Sequence, residues 1–162
     1  MKPKHAVLLI GCVVFAELAG AIGSLANIYS LETWYAALDK PGLNPPSWVF
    51  GPVWTFLFLL MGISLYLVLR HRRRFLMERP DFKPAMAAFA AQWFLNVLWS
   101  FVFFYLRQPL WAFVEILLLA IAIIVTIKAF YRLNRTAAYL LLPYLAWVCF
   151  AAWLNFSIWQ LN

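Results

Sequence analysis

Long uninterrupted apolar runs alternate with short polar or proline-bearing links along the whole chain. Five runs stand out, at about residues 6–28, 48–69, 84–106, 110–131 and 137–160. An α-helix needs ~20 residues to cross the ~30 Å of hydrocarbon in a bilayer, and every run is long enough. A helix on the surface of a soluble domain confines its apolar residues to one stripe, whereas these runs are apolar all round. Transmembrane β-strands are shorter, ~10 residues, and alternate with period two; no run has that form. The pattern predicts an all-α integral membrane protein, a five-transmembrane-helix bundle, with residues 1–162 forming one membrane domain.

Two links are longer than the rest. The first, Tyr29 to Ser47, places Leu31, Trp34, Tyr35 and Leu38 at helical spacing. It ends in Pro45-Pro46, which cannot continue a helix and stiffens the approach to the second span. The second is a basic linker from Arg70 to Lys83. Pro143 falls inside the fifth predicted helix, where it is expected to free a carbonyl and kink the span. No internal repeat is evident, and an odd number of spans argues against the paired inverted repeats of many transporters.

Composition agrees with the pattern: 66% of residues are hydrophobic and 12% charged, against ~25% charged in an average soluble domain. The charge distribution adds an orientation. Lys2, Lys4, Arg70, Arg72, Arg73, Arg74, Arg79, Lys83, Arg132 and Arg135 fall on one side of the five spans, and Lys40 and Arg107 on the other. The positive-inside rule then puts the N-terminus in the cytoplasm, and the first loop and C-terminus outside, in a plasma membrane. The Arg70–Arg74 cluster reads as a membrane-flanking patch that touches anionic lipid. A nucleic-acid site is not expected, because no soluble element presents it. Lys2 and Lys4 before an apolar run, with Leu9-Ile10-Gly11-Cys12, resemble a signal or lipoprotein segment. The run continues to Ile28, however, and reads as a whole span. Cys12 and Cys149 lie in separate spans and His5 and His71 at helix flanks, so no metal-ligand spacing exists and none is expected. There is no glycine-rich phosphate loop and no nucleophile motif.

Polar residues inside the spans are costly and therefore informative. Glu17 and Glu115 are the ionisable ones; Gln92 and Asn96 share a face of the third helix, and Asn155 lies in the fifth. Interhelical hydrogen bonding accounts for Gln92, Asn155 and Glu17. Glu115 stands between two readings, packing and the lining of a ligand cavity. Nine tryptophans form the second anomaly. Trp34, Trp48, Trp111 and Trp159 sit near span ends, where aromatic belts form, while Trp54, Trp93, Trp99, Trp147 and Trp153 lie deeper. Tryptophans interleaved with small residues leave flat apolar slots that suit planar ligands better than ions. Ala16, Gly20, Gly23 and Ser24, and separately Ala87 with Ala91, allow close helix approach. That approach either seals the bundle or pairs two protomers.

The segment WYAALDKPGLNPPSWVFGPVWTFLFLLMG, Trp34 to Gly62, resembles the signature of the translocator protein family. The resemblance continues through AAQWFLNVLWSFVFF (Ala90 to Phe104), WAFVEILLL (Trp111 to Leu119) and LLPYLAWVCFAAWLNF (Leu141 to Phe156), with GAIGS at Gly20 to Ser24. The family includes bacterial tryptophan-rich sensory proteins and the mitochondrial peripheral-type benzodiazepine receptor. This chain is similar to its prokaryotic members. Phe156 and Gln160 stand where mammalian members carry the Tyr and basic residue of a cholesterol-recognition pattern, which argues against tight sterol binding.

The resemblance implies a membrane receptor or sensor for porphyrins (protoporphyrin, haem) and related lipophilic ligands, regulating tetrapyrrole traffic or signalling, and typically a homodimer. Its pocket would lie among the five helices under the first loop, walled by Trp54, Asn96, Trp99, Trp111, Glu115, Trp147, Ala151 and Leu154, with Trp34, Tyr35 and Pro45 in the lid. Glu115 stands where other members carry an acid, usually Asp. No cofactor is expected; porphyrin or haem is the ligand, and a signalling partner would supply the output. The alternatives are a porphyrin transporter and a light-dependent porphyrin-degrading enzyme. No acid–base or nucleophile constellation is present, so catalysis would fall to Trp54 and Trp147.

Overall fold

The computed structural model describes residues 3–28, 30–70 and 80–162. Lys2, Arg72, Arg73, Arg74, Arg79 and His71 lie outside the described residues, as does Tyr29. Helix α1 runs Pro3–Asn27, the short α2 Trp34–Ala37 and α3 Ser47–Leu69. Helix α4 runs Phe82–Ser100 and ends in a π-helical turn, Phe101–Tyr105; α5 is Pro109–Leu133, α6 Arg135–Tyr139 and α7 Leu142–Leu161. Five helical segments, with α6 and α7 acting as one, are long and apolar enough to cross a membrane. No strand occurs among the described residues.

Pro143 does not kink the interior of a continuous helix. The fifth span breaks just before it, at Leu140 and Leu141, so that Pro143 becomes the second residue of α7. There its missing N–H costs nothing, because the first N–H groups of a helix have no intrahelical acceptor. Asn134 starts α6 by accepting the Ala137 N–H at 3.0 Å. Arg107, in the link before α5, has φ 55°, a left-handed conformation that lets three residues reverse the chain at a cost of about 1–2 kcal/mol.

In lipid, helices associate through close packing and hydrogen bonds, since hydrocarbon surrounds them on both sides of the equilibrium. The inward face of α1 is built from small residues: Cys12, Ala16, Ala19, Gly23 and Ala26 are its buried positions. They let α3 and α4 approach; a β-carbon on Gly62 of α3 would lie 2.6 Å from Val13 Cα. The α1 stripe therefore seals the bundle, whereas Ala87 and Ala91 face outward. Around the bundle α3 packs on α1, α1 on α4, α4 on α5, α5 on α7, and α3 also on α6. Specific bonds cross these seams. Ser64 Oγ donates to the Ala137 carbonyl at 2.7 Å, Trp93 Nε1 to the Phe15 carbonyl at 3.0 Å, and Asn96 Nδ2 to the Tyr144 hydroxyl at 2.9 Å.

Of the intramembrane polar groups expected to bond between helices, only Asn155 does. Its Nδ2 donates to the Pro109 carbonyl at 2.7 Å, and its Oδ1 accepts the Trp99 indole N–H at 3.1 Å. Gln92 is fully buried with both amide atoms unpartnered, and Glu17 makes no hydrogen bond or ion pair among the described residues.

Candidate functional site

A cavity of about 630 Å³ opens within the bundle, in the range of ~300–1,000 Å³ typical of small-molecule sites. Four elements build it. Helix α1 contributes Gly20, Gly23 and neighbours, α3 contributes Phe50, Trp54 and Phe58, α4 with its π turn contributes Asn96, Trp99, Phe103 and Phe104, and α7 contributes Ala151, Leu154, Asn155 and Ile158. Leu31 and Tyr35 of the first loop close one end.

The aromatic walls are ordered by ring stacking. Trp54 lies on Phe58 (centroids 5.4 Å, 25° between planes), and Trp99 on Phe103 (5.3 Å, 20°). Phe58 fits because α1 has glycine opposite; a β-carbon at Gly20 would come 2.7 Å from the Phe58 ring. The π turn supplies the second wall. Its wider winding, with the Leu106 N–H donating to the Phe101 carbonyl at 2.9 Å, leaves both Phe103 and Phe104 buried. An insertion of this kind in a helix is frequently found at functional sites.

The lid is tied down at both ends. Ser30 Oγ donates to the Phe104 carbonyl at 2.7 Å, and Tyr35 packs its ring against Phe103 and Phe104. At the far end the Asp39 N–H donates to Asn162 Oδ1 and Asn162 Nδ2 donates to the Asp39 carbonyl, each at 3.0 Å. The Tyr35 hydroxyl donates to Asn44 Oδ1 at 3.1 Å, and burial pushes its phenol up from the ordinary value near 10.0. The opening is lateral. Among lining residues, Ala21 and Ser24 of α1 and Trp48, Gly51 and Thr55 of α3 are exposed, so the mouth lies between these two helices at membrane depth.

The structure brings six of the eleven expected ligand-binding residues to this cavity: Tyr35, Trp54, Asn96, Trp99, Ala151 and Leu154. The other five stand apart from its lining. Helix α5 contributes nothing, because it packs behind α4 and α7. Ala112, Glu115 and Ile116 are the buried positions at its start; Trp111, one residue before Ala112 and about 100° around the helix, therefore points outward at 63% exposure. Glu115 is buried in the bundle interior with neither carboxyl oxygen partnered, so it belongs to packing and not to the cavity wall. Trp147 meets Phe50 edge to face (6.1 Å between centroids) with its indole N–H sealed in, outside the lining that holds Trp54. Trp34 packs edge-on against Phe103, and the Pro45 carbonyl accepts from Asn44 Nδ2.

Residues 12–160 match the TspO/MBR family. The chain belongs to that family. It is 43% identical to the tryptophan-rich protein TspO of Archaeoglobus fulgidus, over 96% of this chain and 98% of that protein. It is 40% identical to the human translocator protein, over 80% of this chain and 75% of that one. It is 32% identical to the tryptophan-rich sensory protein of Cereibacter sphaeroides, over 93% and 90%. As a family member it is an integral membrane protein, and the matched stretch contains every residue that lines the cavity.

The sequence reading missed Phe58, Phe103, Phe104, Ser100 and Ile158 in the lining. A signal existed for the first: Gly20 marks where a bulky neighbour must be accommodated. For Phe103 and Phe104 there was none, because the π turn that turns both inward is invisible in a uniformly apolar run. Among the described residues no group of His, Cys, Asp or Glu could hold a metal ion.

Proposed function

We propose that the chain is a membrane receptor that binds porphyrins, protoporphyrin or haem, and related flat lipophilic ligands in this cavity, and through them regulates tetrapyrrole traffic or signalling. The observation that carries the reading is the pairing of two stacked aromatic walls, Trp54 on Phe58 and Trp99 on Phe103, around a space of about 630 Å³. A planar ring system buries both faces on such walls, and stacking adds about 0.5–1.5 kcal/mol per contact beyond area. Ala151 leaves room for the ring edge. In this reading the mouth between α1 and α3 admits a ligand dissolved in lipid, while the tethered first loop shields the cavity from water.

The membrane is a prokaryotic plasma membrane with the N-terminus cytoplasmic. Lys4, Arg70, Lys83, Arg132 and Arg135 cluster at one end of the bundle, and Lys40 and Arg107 stand at the other, the asymmetry expected of cytoplasmic loops. A second copy of the chain completes the receptor as a homodimer.

The test is a titration of the protein in lipid nanodiscs with protoporphyrin, read by tryptophan-fluorescence quenching corrected for inner-filter effects. Wild type is expected to quench saturably. Ala151→Phe is expected to bind at least tenfold more weakly, about 1.4 kcal/mol. Non-saturable quenching, or an unchanged affinity in the variant, would place the ligand elsewhere.

A further inference from the structure

We propose that Glu17 is a ligand-recognition group, the hydrogen-bond acceptor at the cavity's lateral mouth, selecting amphiphiles that present an N–H or ammonium donor there. The proposal deepens the porphyrin reading and rests on it.

Four observations converge on this residue. Glu17 lies ten residues before the end of α1, about 15 Å along a helix rising ~1.5 Å per residue, and so near the middle of a ~30 Å hydrocarbon layer. An ionisable side chain at that depth is costly and marks a functional position by default. It has no protein partner: no hydrogen bond or ion pair reaches it among the described residues. The carboxyl is also not sealed in. The two Glu115 oxygens are closed off from any probe, whereas those of Glu17 are not; Glu17 is half-buried and lines the cavity. Finally, the surrounding wall offers it no countercharge. Among the described residues no lysine, arginine or histidine lines the cavity. Two polar side chains of the lining are engaged within the protein, the Ser24 hydroxyl donating to the Ala21 carbonyl at 2.7 Å and the Asn96 amide to Tyr144, while Asn27 offers a buried, unpartnered Oδ1.

A carboxyl without a protein partner at the mouth orients what enters the cavity. Ligand carboxylates are repelled from Glu17 toward the lid end of the cavity, where Leu31 and Tyr35 line it. An N–H or ammonium group is drawn the other way, to the carboxyl. Glu17 therefore sets both the polarity of binding and the preference among ligands of the same ring size.

The experiment compares two porphyrins of identical ring in nanodiscs of zwitterionic lipid: protoporphyrin dimethyl ester, which is neutral, and the analogue whose propionates are replaced by propylamines. Glu17→Gln keeps the size of the side chain and removes its charge. The variant is expected to bind the amine analogue about tenfold more weakly, ~1.4 kcal/mol, while the ester moves by less than about twofold. Equal weakening of both probes, or no change in either, would overturn the proposal and leave Glu17 a lipid-facing residue. Failure of the wild-type protein to bind the ester saturably would instead overturn the cavity reading on which the proposal rests.

Discussion

Gly62 is the point at which α1 and α3 meet backbone to backbone. A β-carbon there would lie 2.6 Å from Val13 Cα and 3.0 Å from both the Cys12 carbonyl oxygen and the Val13 nitrogen. None of these atoms belongs to a side chain that can swing away, so Gly62→Ala must part the helices locally by about 0.8 Å to reach ordinary contact. Overpacking of this kind costs about 1–3 kcal/mol, while replacing glycine by alanine inside a helix returns about 0.8–1.0 kcal/mol. Gly11→Ala separates the two effects. It sits in the same α1 and has no atom within 4 Å of its would-be β-carbon, so it keeps the propensity gain without the clash. Reversible unfolding in mixed micelles, titrated with SDS and followed by helical circular dichroism, should put Gly62→Ala about 1–3 kcal/mol below Gly11→Ala. A Gly62→Ala protein as stable as Gly11→Ala would refute the backbone contact and, with it, the tight α1–α3 seam.

Two further outcomes follow from the site. Asn155→Leu strands the Trp99 indole N–H and the Pro109 carbonyl together, which should lower stability by about 2 kcal/mol in the same assay and weaken porphyrin binding through a loosened Trp99 wall; stability within error of wild type would mean that these bonds carry little. Trp54→Phe should weaken porphyrin affinity by about 0.5–1.5 kcal/mol through lost stacking area, whereas Trp147→Phe, outside the lining, should leave it unchanged; equal losses would move the ligand toward the far side of α7.

Much of the architecture was legible because bilayer physics leaves few options. An almost wholly apolar run of this length must be a helix, since every backbone N–H and C=O has to be satisfied within the segment. Residues that touch the cavity through one helix face were also readable. Trp54, Asn96, Trp99, Ala151 and Leu154 were expected from the family resemblance, and they converge. Less legible was anything that depends on rotation about a helix axis. In a soluble helix the polar face reports which side is buried, but these helices are apolar all round, so Trp111 and Glu115 gave no sign that α5 sits behind the cavity.

Sequence by itself determined the solvent, the number of spans, the charge asymmetry between their ends and the family, because each is carried by long-range composition or by local motif. Tertiary structure alone decided which face of each helix turns inward, where the fifth span breaks at Pro143, and that a π turn delivers Phe103 and Phe104 to the cavity. It also decided that Glu115 is sealed in the interior while Glu17 lines the cavity with its carboxyl unsealed. The reason is physical: two carboxyls with the same intrinsic chemistry differ only in what the neighbouring helices place against them, and that is set by packing of small residues such as Gly20 and Gly62 across seams that no local pattern records.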